Sequence, residues 1–158
     1  MLEFTEWLAE QYWGTEAAGI LAFAKSEKLF LLAHRSPHVN EPNTYGIIGG
    51  KLESGESAIQ GARREFFEET GYNGQMQIST LNQFHDEGFT YTNFLGIVPT
   101  KFNPNPDSGS HWETTSFEWV TFEGLLKIHP KHFGVEHLLN DPKVYNLLKN
   151  LDNPAQSI

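Results

Sequence analysis

Gly49-Gly50-Lys51-Leu52-Glu53-Ser54-Gly55-Glu56, followed from Ser57 by a helix-forming run that ends Arg64-Glu65-Phe66-Phe67-Glu68-Glu69-Thr70-Gly71-Tyr72, is the stretch on which the reading of this chain turns. Ser57 with Gln60 three residues later fits a capping box, which starts a helix near residue 57. Gly71 fits the left-handed position that ends one. At about 100° per residue, Ile59, Ala62 and Phe66 share a face expected to pack on a sheet. Glu65, Glu68 and Glu69 lie together on a flank beside it. Gly61, mid-helix, costs about 1 kcal/mol relative to alanine and is expected to mark close packing against a neighbouring strand.

Carboxylates at this spacing repel one another, and Arg63 and Arg64 offset only part of that repulsion. A merely solvated face would spread its acids around the polar side. Here they adjoin the apolar face, and a second acidic pair, Glu53 and Glu56, precedes the helix. Converging carboxylates are the oxygen ligands that Mg²⁺ or Mn²⁺ requires. With such ions in between, repulsion of a phosphate-bearing substrate turns into attraction.

The rest of the composition narrows the classes. The chain has 158 residues, 39% hydrophobic and 20% charged, enough for one domain around one core. Residues 1–151 are expected to form it, with 152–158 a frayed tail. A net charge of −9 disfavours nucleic acid as a partner, because such binding rests on Lys and Arg neutralising phosphates. No cysteine is present, which excludes disulfides and thiolate metal sites. No apolar run reaches the roughly 18 residues of a membrane span. Met1 to Trp7 has neither the basic nor the apolar region of a signal peptide, so a cytoplasmic location is expected.

Working outward, Ala18–Ala24 and Leu29–Ala33 read as a hairpin of buried strands around the polar turn Lys25–Lys28. His38–Thr44 is a loop. Tyr45-Gly46-Ile47-Ile48 reads as one short strand running into the glycine pair. Beyond the acidic helix, Met76–Phe84 and Phe89–Val98 read as strands joined by a turn at His85–Gly88. A long loop at Pro99–Gly109 follows, then a strand at Ser116–Val120 and a short helix at Phe122–Ile128. Residues Gly134–Leu151 have helical spacing, with Pro142 breaking or starting a segment. At the other end, Phe4, Trp7, Leu8 and Tyr12 recur at helical spacing, so residues 1–13 read as an amphipathic helix. It either caps the core, forms a homodimer interface or walls the pocket. The order of elements suggests an α+β fold layered as an α/β/α sandwich, with a mixed sheet and the acidic helix packed on it.

Gly50, Glu56 and the run from Arg64 to Tyr72 resemble the Nudix box, and all seven invariant positions of that pattern are present over residues 50–72. Phe66 and Tyr72 stand where the pattern expects aliphatic residues, and Ile48 stands where members often have proline. The resemblance implies a Nudix pyrophosphohydrolase that uses Mg²⁺ (or Mn²⁺). Its substrate would be a nucleoside diphosphate linked to another moiety: a nucleotide sugar, a dinucleotide or a nucleoside triphosphate. Glu65, Glu68, Glu69 and the Gly49 carbonyl would hold the metal, and Glu56 and Arg64 would orient the site. Metal-activated water would attack phosphorus in line after a glutamate takes its proton. That glutamate is on the helix, where Glu68 is a candidate, or on a later loop, where Glu113 is. The alternative is a module that senses a nucleotide without cleaving it. The proline that marks ADP-ribose hydrolases is not found where Asp86-Glu87 stand, and Leu31–Ser36 carries only part of the coenzyme A marker, so neither substrate is assigned.

Outside the box, Arg35 ends a strand where it could grip phosphate, and Lys51 follows the glycine pair. Tyr45, Phe89, Tyr91 and Trp112 could stack a base or fill the core. Phe89 and Tyr91 lie on one side of their strand and share one fate. His129, His132 and His137 have no zinc spacing and read as scattered surface histidines.

Overall fold

Alternation along one strand sets the layers. In β1 (Glu16–Ala24), Ala18, Ile20 and Ala22 pack on one side of the sheet, and Leu21 and Phe23 on the other. Successive side chains of a strand point to opposite faces, so a continuous apolar run must be covered twice. The computed structural model describes residues 16–39, 41–105 and 113–152. The N-terminal helix expected at 1–13, the tail expected at 152–158 apart from Asp152, and Trp112 lie outside the described residues.

β1 pairs antiparallel with β2 (Leu29–Arg35) and β4 (Ile48–Lys51), and parallel with β6 (Phe89–Val98). β6 continues antiparallel to β5 (Gln77–Asp86), while β3 (Tyr45–Gly46) and β7 (Thr114–Val120) pair with β2. The sheet is therefore mixed. On one face lies α1 (Ala58–Thr70), which contributes Ala62 and Phe66 to a core with Ile20, Leu31, Ile48 and Phe94. On the other lie α2 (Phe122–Lys127), α3 (Phe133–Leu139) and α4 (Pro142–Leu151), whose Leu125, Val135, Leu138, Val144 and Leu148 meet Phe23, Phe30 and Leu32. This is the expected α+β sandwich.

Both capping signals of α1 are realised. The Ser57 side chain accepts from the Gln60 N–H, the Gln60 side chain accepts from the Ser57 N–H, and Gly71 adopts φ 75°. Pro142 starts α4. The turn between β5 and β6 is tight because Glu87 and Gly88 both take positive φ, 42° and 82°.

Three expectations need correction. Tyr45–Ile48 is not one strand: β3 pairs with β2 and β4 with β1, so the chain changes partner at Ile47. Gly61 packs not on a strand but under the loop, where an added Cβ would lie 3.0 Å from Leu52 Cγ and 3.1 Å from Glu56 Oε1. Ile59 is not on the buried face of α1. It is 38% exposed, and the buried positions are Gly61, Ala62, Phe66, Glu69 and Thr70. The loop folded over Gly61 draws the buried stripe toward Glu69 and leaves Ile59 at its margin.

Candidate active site

The glycine pair lets a helix and a strand approach where side chains would hold them apart. Gly50 faces α1, and a Cβ there would lie 2.6 Å from the Glu65 carboxyl. Gly49 faces the other way, where a Cβ would collide with the Ala18 carbonyl and the Gly19 backbone of β1. The backbone of β4 therefore lies directly beside the carboxylates of α1.

Arg64 organises that flank. Its Nε donates to Glu56 Oε2 at 2.7 Å and its Nη2 to Glu56 Oε1 at 3.1 Å, a forked pair. Nη1 donates to Glu65 Oε1 and Glu68 Oε2, both at 3.2 Å, and Nη2 also donates to the Lys51 carbonyl. Glu56 is in turn held by the Glu53 N–H at 2.8 Å. One guanidinium thus ties the acidic loop, the end of β4 and two helix glutamates together. The hydrogen bonds from Arg64 hold the Glu56 carboxyl below the usual range, and Glu56 in return raises Arg64.

The acids differ in their surroundings. The Glu68 side chain is 40% exposed and that of Glu65 18%. Glu69 is buried, and its Oε2 has no hydrogen-bond partner among the described residues. Burial pushes the Glu69 carboxyl well above the ordinary range, with Glu65 and Glu113 adding repulsion. Burial also raises Glu65, and Arg64 partly opposes it. A buried carboxylate oxygen without a donor is costly unless a cation meets it. The donor set, all oxygen, suits a hard divalent ion. As placed, no three acidic or imidazole groups among the described residues converge on one point. Arg64 occupies Glu65 and Glu68 instead, and the unsatisfied oxygen of Glu69 is what fits the ion.

Arg35 and Glu113 reach this region from the other side. A register irregularity between His34 and Arg35 lets β2 bend where it meets β7, and the Ser36 N–H donates to the Glu113 carbonyl. The Glu113 residue is exposed by surface area, yet partial burial raises its carboxyl, and the Arg35 charge offsets part of the rise. Arg35 also acts electrostatically on Glu69. Lys51 is exposed at the end of β4. Tyr45 has one ring face covered: the His34 imidazole stacks on it at 4.4 Å. Phe89 is buried, and Tyr91 packs against the same small cluster with Ala17.

The histidines are not alike. His132 caps α3 by accepting the Gly134 N–H at 2.9 Å, and burial pushes its pKa down to about 3, with the Arg35 charge adding to the shift. It is not the surface histidine expected. His137 meets Phe84 edge-on at 4.9 Å.

One polar chain has no counterpart in the sequence reading. Asn93 Nδ2 donates to Asn82 Oδ1 at 2.9 Å, and Asn82 Nδ2 donates to Asp141 Oδ2 at 3.2 Å. Asp141 caps α4, so the chain links sheet to helix. The irregularity between Thr80 and Asn82 sets Asn82 in its place. No local spacing signals such a pairing.

The family model of the NUDIX domain matches residues 14–140. An ADP-ribose pyrophosphatase from Saccharomyces cerevisiae is 27% identical over 150 residues, covering 92% of this chain and 64% of that protein. A nucleoside triphosphate pyrophosphatase/Nudix hydrolase fusion protein from Bifidobacterium longum is 35% identical over 123 residues, 73% of this chain and 25% of the relative. The chain thus spans less than two-thirds of the length of either. Among solved structures, the Nudix hydrolase RenU of M. smegmatis superposes with a TM-score of 0.66 at 20% identity, over 91% of this chain and 89% of that one. The family match spans most of the chain and the fold agrees with it, so the chain belongs to the Nudix family. Among the described residues no helix is long and apolar enough to cross a membrane.

Proposed function

We propose that this chain hydrolyses the diphosphate bond of a nucleoside diphosphate linked to another moiety, with a divalent metal ion. The single observation that supports this best is the buried Glu69 carboxyl, whose Oε2 lacks a donor beside Glu65 and Glu113. Glu65, Glu68, Glu69 and the Gly49 carbonyl would hold Mg²⁺ (or Mn²⁺). Such an ion neutralises charge on the phosphate oxygens and makes water a better nucleophile.

The chain's own residues have separable tasks. Arg64 and Glu56 orient the helix acids through the forked pair. Arg35 and Lys51 bind phosphate oxygens, and the Tyr45–His34 stack walls the nucleoside side. Glu68 or Glu113 takes the proton of the attacking water. As the new P–O bond forms, the bridging P–O bond breaks and its electrons pass to the leaving phosphate.

The yeast relative makes ADP-ribose the first substrate to test. Incubation with Mg²⁺ and a panel of ADP-ribose, NADH, diadenosine polyphosphates, nucleotide sugars and nucleoside triphosphates should release a nucleoside monophosphate from at least one. Binding of a nucleotide with no turnover of any would favour the sensing module instead.

A further inference from the structure

Phe66 and Tyr72 are aromatic where the box pattern expects aliphatic residues, and both rings meet one neighbour. Phe102, from the segment after β6, stacks on Tyr72 with ring centroids 4.3 Å apart and meets Phe66 edge-on at 6.2 Å. It also meets Trp119 of β7 edge-on at 5.3 Å, and its carbonyl accepts the Trp119 Nε1–H at 3.0 Å. Residues 100–105 thus run as a strap between β7 and α1.

Both ends of the strap are tied. Glu27, in the β1–β2 turn, accepts the Thr100 hydroxyl at 2.6 Å and the Lys101 N–H at 2.8 Å. At the other end the Asn105 N–H donates to the Thr70 carbonyl at 2.6 Å. That bond satisfies one of the carbonyls a helix C-terminus leaves open. Gly71 makes room for it, because a Cβ there would collide with the Asn105 carbonyl.

The grip falls on one turn of α1. Phe66, Glu69 and Thr70 share its buried stripe, as their spacing of three and four requires. The strap holds that turn through Phe66 before Glu69 and through Thr70 after it. The buried Thr70 hydroxyl adds an internal tie: it donates to the Phe66 carbonyl at 2.7 Å and accepts the Tyr72 N–H at 3.1 Å. α1 itself packs chiefly on β1 and β4, whereas Glu113 leads into β7. Glu69 and Glu113 repel one another, which pushes α1 and β7 apart where both approach the candidate metal site. The strap is bonded to both elements and opposes that separation.

We propose that residues 100–105 position the metal site: Phe102, stacked on Tyr72, holds the turn that carries Glu69 at the depth and rotation at which its carboxyl meets a divalent ion. This role rests on the metal-dependent hydrolase reading and deepens it. Phe102 and Tyr72 are positioning residues, acting through Glu69. A leucine at position 72 fills space but offers Phe102 no ring face to stack on.

The test reads metal affinity apart from turnover. Mn²⁺ is titrated into the full chain without nucleotide, and free Mn²⁺ is followed by electron paramagnetic resonance. Phe102→Leu and Tyr72→Leu should each weaken binding about tenfold, the low end for residues that orient a metal ligand. Tyr72→Phe keeps the ring and should bind as the wild type does. Val144→Ala, which loosens the core on the other face of the sheet, should also leave Mn²⁺ affinity unchanged. Leucine variants that bind as tightly as the wild type would overturn the positioning role. So would an equal loss in Val144→Ala, which would make the effect one of general stability. A wild type that binds no Mn²⁺ would refute the metal-dependent reading itself, and this role with it. Without any metal, the Asn105 amide should be protected from hydrogen exchange in the wild type and exchange about tenfold faster in Phe102→Leu. A wild-type Asn105 amide that exchanges as freely as an unfolded one would overturn the strap even where Mn²⁺ binds.

Discussion

Replacing Glu69 by glutamine should stabilise the metal-free protein while abolishing its turnover. In the metal-free chain Glu69 places a carboxyl in a buried position where burial, Glu65 and Glu113 raise it and Oε2 lacks a donor, so folding must either keep a costly charge there or take up a proton. The effective cost of burying a charge is several kcal/mol, whereas an unsatisfied neutral polar group costs roughly 1–3 kcal/mol. Their difference puts the gain from Glu69→Gln at about 2 kcal/mol. For a chain of this length that corresponds to a rise in Tm of roughly 4–8 °C. The assay is a thermal melt in EDTA at neutral pH, repeated in millimolar Mg²⁺. The wild type should melt lower than the variant in EDTA and gain stability on adding Mg²⁺, because an ion bound only by the folded state stabilises it. The variant should gain little. A variant less stable than wild type in EDTA, or one that responds equally to Mg²⁺, would show that Glu69 is not a carboxylate kept for a cation.

Other consequences can be measured directly. Gly50→Ala places its Cβ against the Glu65 carboxyl, a movable tip, so it should cost little stability and reduce kcat by displacing Glu65. Gly49→Ala meets the backbone of β1 instead and should destabilise by about 2 kcal/mol or more, read as a fall in the urea midpoint. Phe66→Ala empties a fully buried site between Ala62 and the sheet and should cost about 3–5 kcal/mol in the same assay. His132, pushed down to about 3 by burial, gives a pH dependence. Below its ordinary value near 6.5 the unfolded chain takes up a proton that the folded chain refuses. Its stabilising contribution is therefore complete above pH 6.5 and is lost as pH falls from there toward 3. His132→Asn keeps an acceptor for the Gly134 N–H and should flatten the stability profile between pH 6.5 and 4.5 by up to about 1.4 kcal/mol per unit. An unchanged slope would contradict the burial of that ring.

The helix caps, the glycine pair and the grouping of Glu65, Glu68 and Glu69 were legible in the sequence because they are local. A cap needs residues three or four apart, and a carboxylate flank needs only the helical period. The strands of the first hairpin and of β5–β6 were legible for the same reason, since alternation and turn chemistry act over a few residues. What distance along the chain hides is partner choice. The sequence shows Ile47 between two strand-like pairs, but only the sheet decides that Tyr45 joins β2 and Ile48 joins β1. The burial of His132 depends on α3 packing beside β3, and the positive charge near it on Arg35 arriving from β2. The bonds from Asn93 through Asn82 to Asp141 join residues up to 59 positions apart. Even within the acidic helix the sequence assigns Glu69 to a group and not to a depth. It is the rotation of α1, set by Leu52 and Glu56 closing over Gly61, that buries this carboxylate and leaves Ile59 exposed.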